Sequence, residues 1–170
     1  KGYTSPSESE LDIGGLDSAH KLTMLSSLCF GAEIDFENNY ITGISEIKYE
    51  DIKNAKSLGY KIKLISESLI ENNKIFSITS PKLINIKKPL ASVDGVLNAI
   101  NIETDQLESL FLEGEGAGGK ATACSVISDI YEIITNTNVN SLGFKIDNLI
   151  KYTKFELSNL ESPYYLRIMT

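Results

Sequence analysis

The sequence predicts an α+β fold, a mainly antiparallel sheet covered by helices on one face. Three observations carry this. Apolar residues recur at helical spacing over 16–30, 49–58 and 121–135. Between residues 60 and 79 the period drops to two, the mark of half-buried strands. The strand-like segments follow one another through short turns, without the regular strand, helix, strand alternation that builds a parallel sheet.

Residues 4–15 are polar and contain Gly14 and Gly15, which reads as a loop. They lead into 16–30, where Leu16, Ala19, Leu22, Leu25 and Leu28 recur at three-residue steps, with Met24 and Cys29 beside them. Gly31 follows as a left-handed C-terminal cap. A turn at Glu37-Asn38-Asn39 precedes a short strand near 40–44, and a second helix over 49–58 stops at Gly59. From Tyr60, Ile62, Leu64 and Ser66 alternate with Lys61, Lys63 and Ile65; after Glu71-Asn72-Asn73 the alternation resumes over 74–79. Asn-Asn tolerates the positive backbone angles of a tight turn, so these two runs read as a hairpin. Pro81 and Pro89 bracket a further extended piece at 83–86, and 90–93 is ambiguous. Strands over 95–104 and 107–113 join through Asp105-Gln106 and end in a Gly-rich loop at 114–119. The third helix, 121–135, has an apolar stripe of Val126, Ile127, Ile130, Ile133 and Ile134. Residues 136–163 are Asn-rich and read as a linker with a short helix at 146–152. Residues 164–169 turn apolar and β-prone again, as the first strand of another domain would.

The chain has 170 residues, 42% hydrophobic and 23% charged, enough for one globular domain or slightly more. Its formal charge of -7, from 16 basic and 23 acidic residues, argues against a nucleic-acid partner. No window approaches the roughly 18 apolar residues a membrane helix needs. Cys29 and Cys124 lie far apart in apolar stretches, which suits two buried thiols in the reducing cytoplasm better than a disulfide. The start at Lys1, followed at once by Gly2-Tyr3, suggests a piece of a longer polypeptide.

Two constellations could carry chemistry. Gly114-Glu115-Gly116-Ala117-Gly118-Gly119 fits the Gly-x-Gly-x-x-Gly dinucleotide fingerprint between a strand and a helix. The acidic residue expected about 20 residues later is missing, because that region reads Asn136-Thr137-Asn138-Val139-Asn140-Ser141. A flexible strand-to-helix turn and a loop lining a site shared with another domain are the other readings. The second constellation is Asp12-Ile13-Gly14-Gly15-Leu16-Asp17, with Lys21 four residues on. Asp17 and Lys21 fall one turn apart on one helix face, which by spacing alone describes an ordinary surface salt bridge before it describes a site. His20, the single histidine, points about 100° away from Lys21 around the helix and cannot build a metal cluster by itself.

These residues resemble a known signature. Gly2-Tyr3-Thr4, and then Asp12-Ile13-Gly14-Gly15-Leu16-Asp17-Ser18-Ala19-His20-Lys21-Leu22, resemble the homoserine dehydrogenase family. The resemblance continues through Leu58-Gly59-Tyr60, Pro89-Leu90-Ala91-Ser92-Val93-Asp94-Gly95, Asn98-Ala99 and Gly116-Ala117-Gly118-Gly119-Lys120-Ala121-Thr122-Ala123, in the family's order. It implies a substrate-binding and dimerisation domain over 1–135, a linker over 136–163, and over 164–170 the start of an ACT-like regulatory domain. The implied activity is the interconversion of L-aspartate 4-semialdehyde and L-homoserine, in threonine and methionine biosynthesis. NADP or NAD would be bound mainly by a domain absent from this chain. By motif position Lys21 would be the acid/base residue and Asp17 would orient it. Tyr3 and Asp12 would bind substrate, and Gly116, Gly118 and Gly119 would lie near the cofactor. The partners implied are a small-molecule substrate and a second copy of the chain, with neither nucleic acid nor membrane and no metal. Ser5 stands where the family usually has Glu, so either Glu8 or Glu10 supplies that carboxylate through a shifted loop or substrate binding is weakened.

Overall fold

A computed structural model describes residues 9–116, 118–135, 140, 145–154 and 161–168. The chain runs α1 (Ser9–Ile13), α2 (Leu16–Phe30), β1 (Tyr40–Ile41), α3 (Tyr49–Ser57), β2 (Tyr60–Glu71), β3 (Lys74–Asn85), β4 (Leu97–Ile102), β5 (Leu110–Glu115), α4 (Gly119–Thr135) and β6 (Thr153–Lys154). This is the expected α+β fold. The long β2–β3 hairpin is antiparallel from Tyr60↔Asn85 to Glu71↔Lys74, and Asn72 and Asn73 take φ of 49° and 61° at its tip. Those are the left-handed values a two-residue type I′ turn requires. β1 and β6 both pair parallel with β3, and β4 and β5 form a separate antiparallel pair.

β3 continues through Pro81, where the sequence suggested a break. The Thr42 N–H donates to the Thr79 carbonyl at 2.8 Å, so Thr79 turns its backbone polar groups toward β1. Residues two apart turn the same way, and Pro81 therefore aims its missing N–H at that edge, past the end of β1. No described ladder bond is lost.

α2 begins and ends where expected, and Gly31 caps it at φ 63°. Its buried face differs from expectation: Ala19, Leu22, Thr23, Ser26 and Ser27 are buried, while Met24, Leu28 and Cys29 are exposed. A row of three-residue steps drifts around a helix of 3.6 residues per turn, and the face that stays on the sheet is i, i+3, i+4, i+7, i+8. Hydroxyls on that face are satisfied locally: Thr23 Oγ1 donates to the Ala19 carbonyl at 2.9 Å and Ser26 Oγ to that of Leu22 at 2.8 Å. The sheet answers with hydroxyl pairs, Ser66 with Thr79 at 2.8 Å and Ser68 with Ser77 at 3.0 Å. Small side chains on both surfaces let helix and sheet approach closely. α3 lies on the same sheet face, since Ile52 shares a small apolar cavity with Ile62 and Leu64.

Three further expectations are corrected. Residues 9–13 of the supposed loop form the single turn α1. Cys124 is exposed like Cys29, because α4 has no buried residue among those described. Within the Asn-rich stretch, Ile146–Asn148 is a 3-10 turn, and the following residues run back along the domain. The Ile150 N–H donates to the Gly31 carbonyl at 2.9 Å, Glu33 N–H donates to that of Ile150 at 3.0 Å, and Thr153–Lys154 becomes β6. No described helix is long and apolar enough to cross a membrane.

Candidate active site

The glycines of Asp12-Ile13-Gly14-Gly15-Leu16-Asp17 set the position of everything after them. Gly14 N–H donates to the Glu10 carbonyl at 2.8 Å and closes α1, and Gly15 turns the chain into α2 at φ 82°. A side chain at Gly15 would press on Thr79 of β3. Across the junction, Ile44 N–H donates to the Ile13 carbonyl at 2.9 Å. Gly43 comes so near that a Cβ there would overlap that carbonyl oxygen and lie 2.8 Å from the Gly14 Cα. The sequence does not mark Gly43, because the strand it abuts is only two residues long.

Anchored in this way, α2 presents Asp17 on its first turn and Lys21 one turn later. Lys21 Nζ donates to Asp17 Oδ2 at 2.7 Å. The aspartate also faces the positive end of the helix, where a carboxylate is favoured. The side chains are 64% (Lys21) and 48% (Asp17) exposed, so as a stability element the pair is worth only about 0.3–0.5 kcal/mol. What the geometry supplies is an exposed ammonium oriented by a neighbouring carboxylate on α2. His20 stacks on Phe36 with ring centroids 4.1 Å apart, away from that pair.

Asp12 is exposed on α1, and its carbonyl accepts from Gly15 N–H at 3.2 Å. Glu10 is also exposed on α1. Tyr3, Ser5 and Glu8 lie outside the described residues. Gly116 and Gly118 sit between β5 and α4 and Gly119 opens α4, where Thr122 N–H donates to the Gly118 carbonyl at 3.0 Å. Gly116 has no room for a side chain, since a Cβ would overlap the Asn98 amide. This turn is not a Rossmann fingerprint. β5 pairs antiparallel with β4, and among the described residues no parallel strand follows α4 beside it. A dinucleotide therefore does not find its βαβ seat here.

Two features were not foreseen. Asp94, inside the Pro89 to Gly95 motif, takes Lys61 Nζ at 2.8 Å and Lys63 Nζ at 2.7 Å on its two oxygens. The hydrogen bonds from Lys61 and then Lys63 bring its pKa down to about 2. This clamp ties the turn before β4 to β2. The other is a polar cavity of about 330 Å³ lined by Thr23, Ser26, Asp35, Asn39 and Ser77 among others, with neither Asp17 nor Lys21 in its wall.

Among the described residues this α+β fold, with an acid and lysine pair on α2, lacks the βαβ unit of a nucleotide-binding domain. The chain belongs to the homoserine dehydrogenase family, whose model, described as Homoserine dehydrogenase, matches residues 1–131. It is 35% identical over 173 residues to the homoserine dehydrogenase of Neisseria gonorrhoeae, covering 98% of this chain and 40% of that protein. It is 37% identical over 160 residues to that of Helicobacter pylori, covering 94% and 38%. Among solved structures, the homoserine dehydrogenase of Thiobacillus denitrificans superposes with a TM-score of 0.82 at 33% identity, covering 92% of this chain and 38% of that one. The enzyme of S. aureus gives 0.74 at 33% identity, covering 85% and 36%. The chain thus spans about 40% of the length of the curated relatives it matches.

Proposed function

We propose that the chain is the substrate-binding and dimerisation part, residues 1–135, of an enzyme that interconverts L-aspartate 4-semialdehyde and L-homoserine. Family membership motivates the reading, and the observation that supports it is the Asp17 and Lys21 pair, with Lys21 Nζ 2.7 Å from Asp17 Oδ2 on one face of α2. NADP or NAD is the electron carrier, held mainly by a domain outside these residues. Gly116, Gly118 and Gly119 border it. This chain's own contribution is the proton. Lys21 donates it to the carbonyl oxygen in the reducing direction and accepts it from the hydroxyl in the other. Asp17 holds the ammonium in place. Asp12 and Tyr3 bind the amino-acid end of the substrate, with Glu10 or Glu8 in place of the carboxylate missing at Ser5. The assembly is a homodimer in the cytoplasm. The exposed apolar stripe of α4 supports a further surface packing on it in the whole protein.

The test is turnover of aspartate semialdehyde with NADPH by the full-length protein. Lys21→Ala is expected to lower kcat about 10²- to 10⁴-fold, the usual range for losing a general acid, with a smaller change in KM. Wild-type turnover in that variant removes Lys21 from the mechanism. A second reading, a non-catalytic dimerisation or regulatory module leading into an ACT-like domain from residue 164, is favoured by Ser5 at the family's Glu position. Absence of turnover in the wild-type protein as well would select it.

A further inference from the structure

Only Gly14 and Gly15 separate α1, which carries Asp12, from α2, which carries Asp17 and Lys21. Two adjacent glycines have wide backbone freedom, so the stretch by itself does not fix how α1 sits against α2. The constraint comes from outside it. Gly15 rests on the sheet, where a Cβ would lie 3.0 Å from Thr79 Cγ2 and 3.6 Å from Ile41 Cγ2. Ile13 and Gly14 rest instead on residues 42–44, which continue from β1. Ile44 N–H donates to the Ile13 carbonyl at 2.9 Å. A Cβ on Gly43 would overlap that oxygen and lie 2.8 Å from Gly14 Cα and 3.1 Å from the Gly14 carbonyl carbon. Thr42 N–H donates in turn to the carbonyl of Thr79, a fully buried residue, at 2.8 Å. Both ends of the glycine junction are thus referred to one residue of β3: Gly15 through the Thr79 side chain, and α1 through Thr42, Gly43 and Ile44.

The contact at Gly43 is backbone on backbone. The tip of a flexible side chain escapes a clash by rotating, whereas Ile13 O and Gly14 Cα retreat only if the helices they join change their offset. Asp17 and Lys21 share α2 and keep their spacing through such a change. Asp12 lies across the junction, so the separation that depends on Gly43 is the one between Asp12 and Lys21.

We propose that Gly43 is a positioning residue for the reaction: it sets the distance from Asp12 to Lys21 and, through it, the length of substrate that is turned over. This rests on the roles proposed for Asp12 at the amino-acid end and for Lys21 at the reacting oxygen. A substrate anchored at one end reacts only when its other end meets the lysine, and a misplacement of about 1 Å costs about a hundredfold in rate. L-homoserine fits that span, and an ω-hydroxy amino acid longer by one methylene does not.

The test compares these two as substrates of the full-length protein, wild type and Gly43→Ala, with NADP or NAD as acceptor. One methylene is worth about 10- to 200-fold in kcat/KM, and the wild type favours L-homoserine. In Gly43→Ala the ratio of the two kcat/KM values is expected to fall about tenfold, because the substrate matched to the span loses most. The pH dependence of kcat stays as in the wild type, since Asp17 and Lys21 move together. The ratio is independent of how much protein is folded, so lost stability alone leaves it where it was. An unchanged or larger ratio, or a shifted pH profile, overturns the role of Gly43. Should Gly43→Ala fail to fold, Ile44→Pro, which removes the N–H that holds Ile13, is read in the same way. A wild-type protein that does not oxidise L-homoserine overturns the catalytic reading and the role of Gly43 with it; oxidation by the wild type with an unchanged ratio in the variant overturns the role of Gly43 alone.

Discussion

In the sheet of β1, β2 and β3 and the helices on it, Phe76 is 1% exposed and Ala19 and Thr79 are fully buried; in α4 no described residue is buried, and the apolar stripe ranges from 47% exposed at Ile130 to 74% at Ile133. By pattern alone α4 is the better amphipath, with four isoleucines and a valine where α2 offers hydroxyls. The difference lies in what faces each helix. α2 meets two hydrogen-bonded strands whose small side chains receive it, while among the described residues the strands before α4 pair only with each other. Periodicity makes a helix; burial needs a partner surface.

Paired substitutions sharpen the contrast. Phe76→Ala is expected to cost about 3–5 kcal/mol in denaturant unfolding of the 170-residue chain, whereas Ile133→Ala shifts it by less than about 0.5 kcal/mol. Equal costs would mean that α4 is packed in solution. Glycines give a second, smaller pair. Gly43→Ala drives a methyl into the Ile13 carbonyl and is expected to cost about 1–3 kcal/mol, with Asp17 and Lys21 displaced as α2 moves. Gly119→Ala meets nothing within 4 Å and is expected to be neutral or stabilising by up to about 1 kcal/mol. A melting series that ranks these two the other way round refutes the close-packed junction.

The smallest effect lies where the two halves meet. Asp94 has a folded pKa of about 2 against an ordinary 3.8, so its clamp on Lys61 and Lys63 stabilises fully above pH 3.8. That contribution fades as the carboxylate is protonated between those values. Asp94→Asn is expected to flatten the fall in melting temperature across that window while leaving the neutral-pH fold intact. A wild-type acid profile in the variant disposes of the clamp.

Much of this was legible in the sequence because it is local. The limits of α2, its Gly31 cap, the Asn72-Asn73 turn and the β4–β5 hairpin each depend on residues a few positions apart. Asp17 and Lys21 are one helical turn apart, so their pairing could be read from spacing. β6 could not, since two residues of no marked periodicity become a strand only because β3 offers them an edge. Nor could the contacts that join Asp51 to Tyr165 and Arg167, or Asp94 to Lys61 and Lys63, where nothing local marks the partners.

The sequence by itself determined the main helices, the two hairpins and the turns that join them, and it placed an acid and a lysine on one helix face. Only the tertiary structure decided which faces are buried, which carboxylates are clamped and how closely Gly43 brings β1 to the start of α2. Helix and turn formation is governed by neighbours a few residues apart, whereas burial and ion pairing depend on surfaces that meet only once the chain has folded.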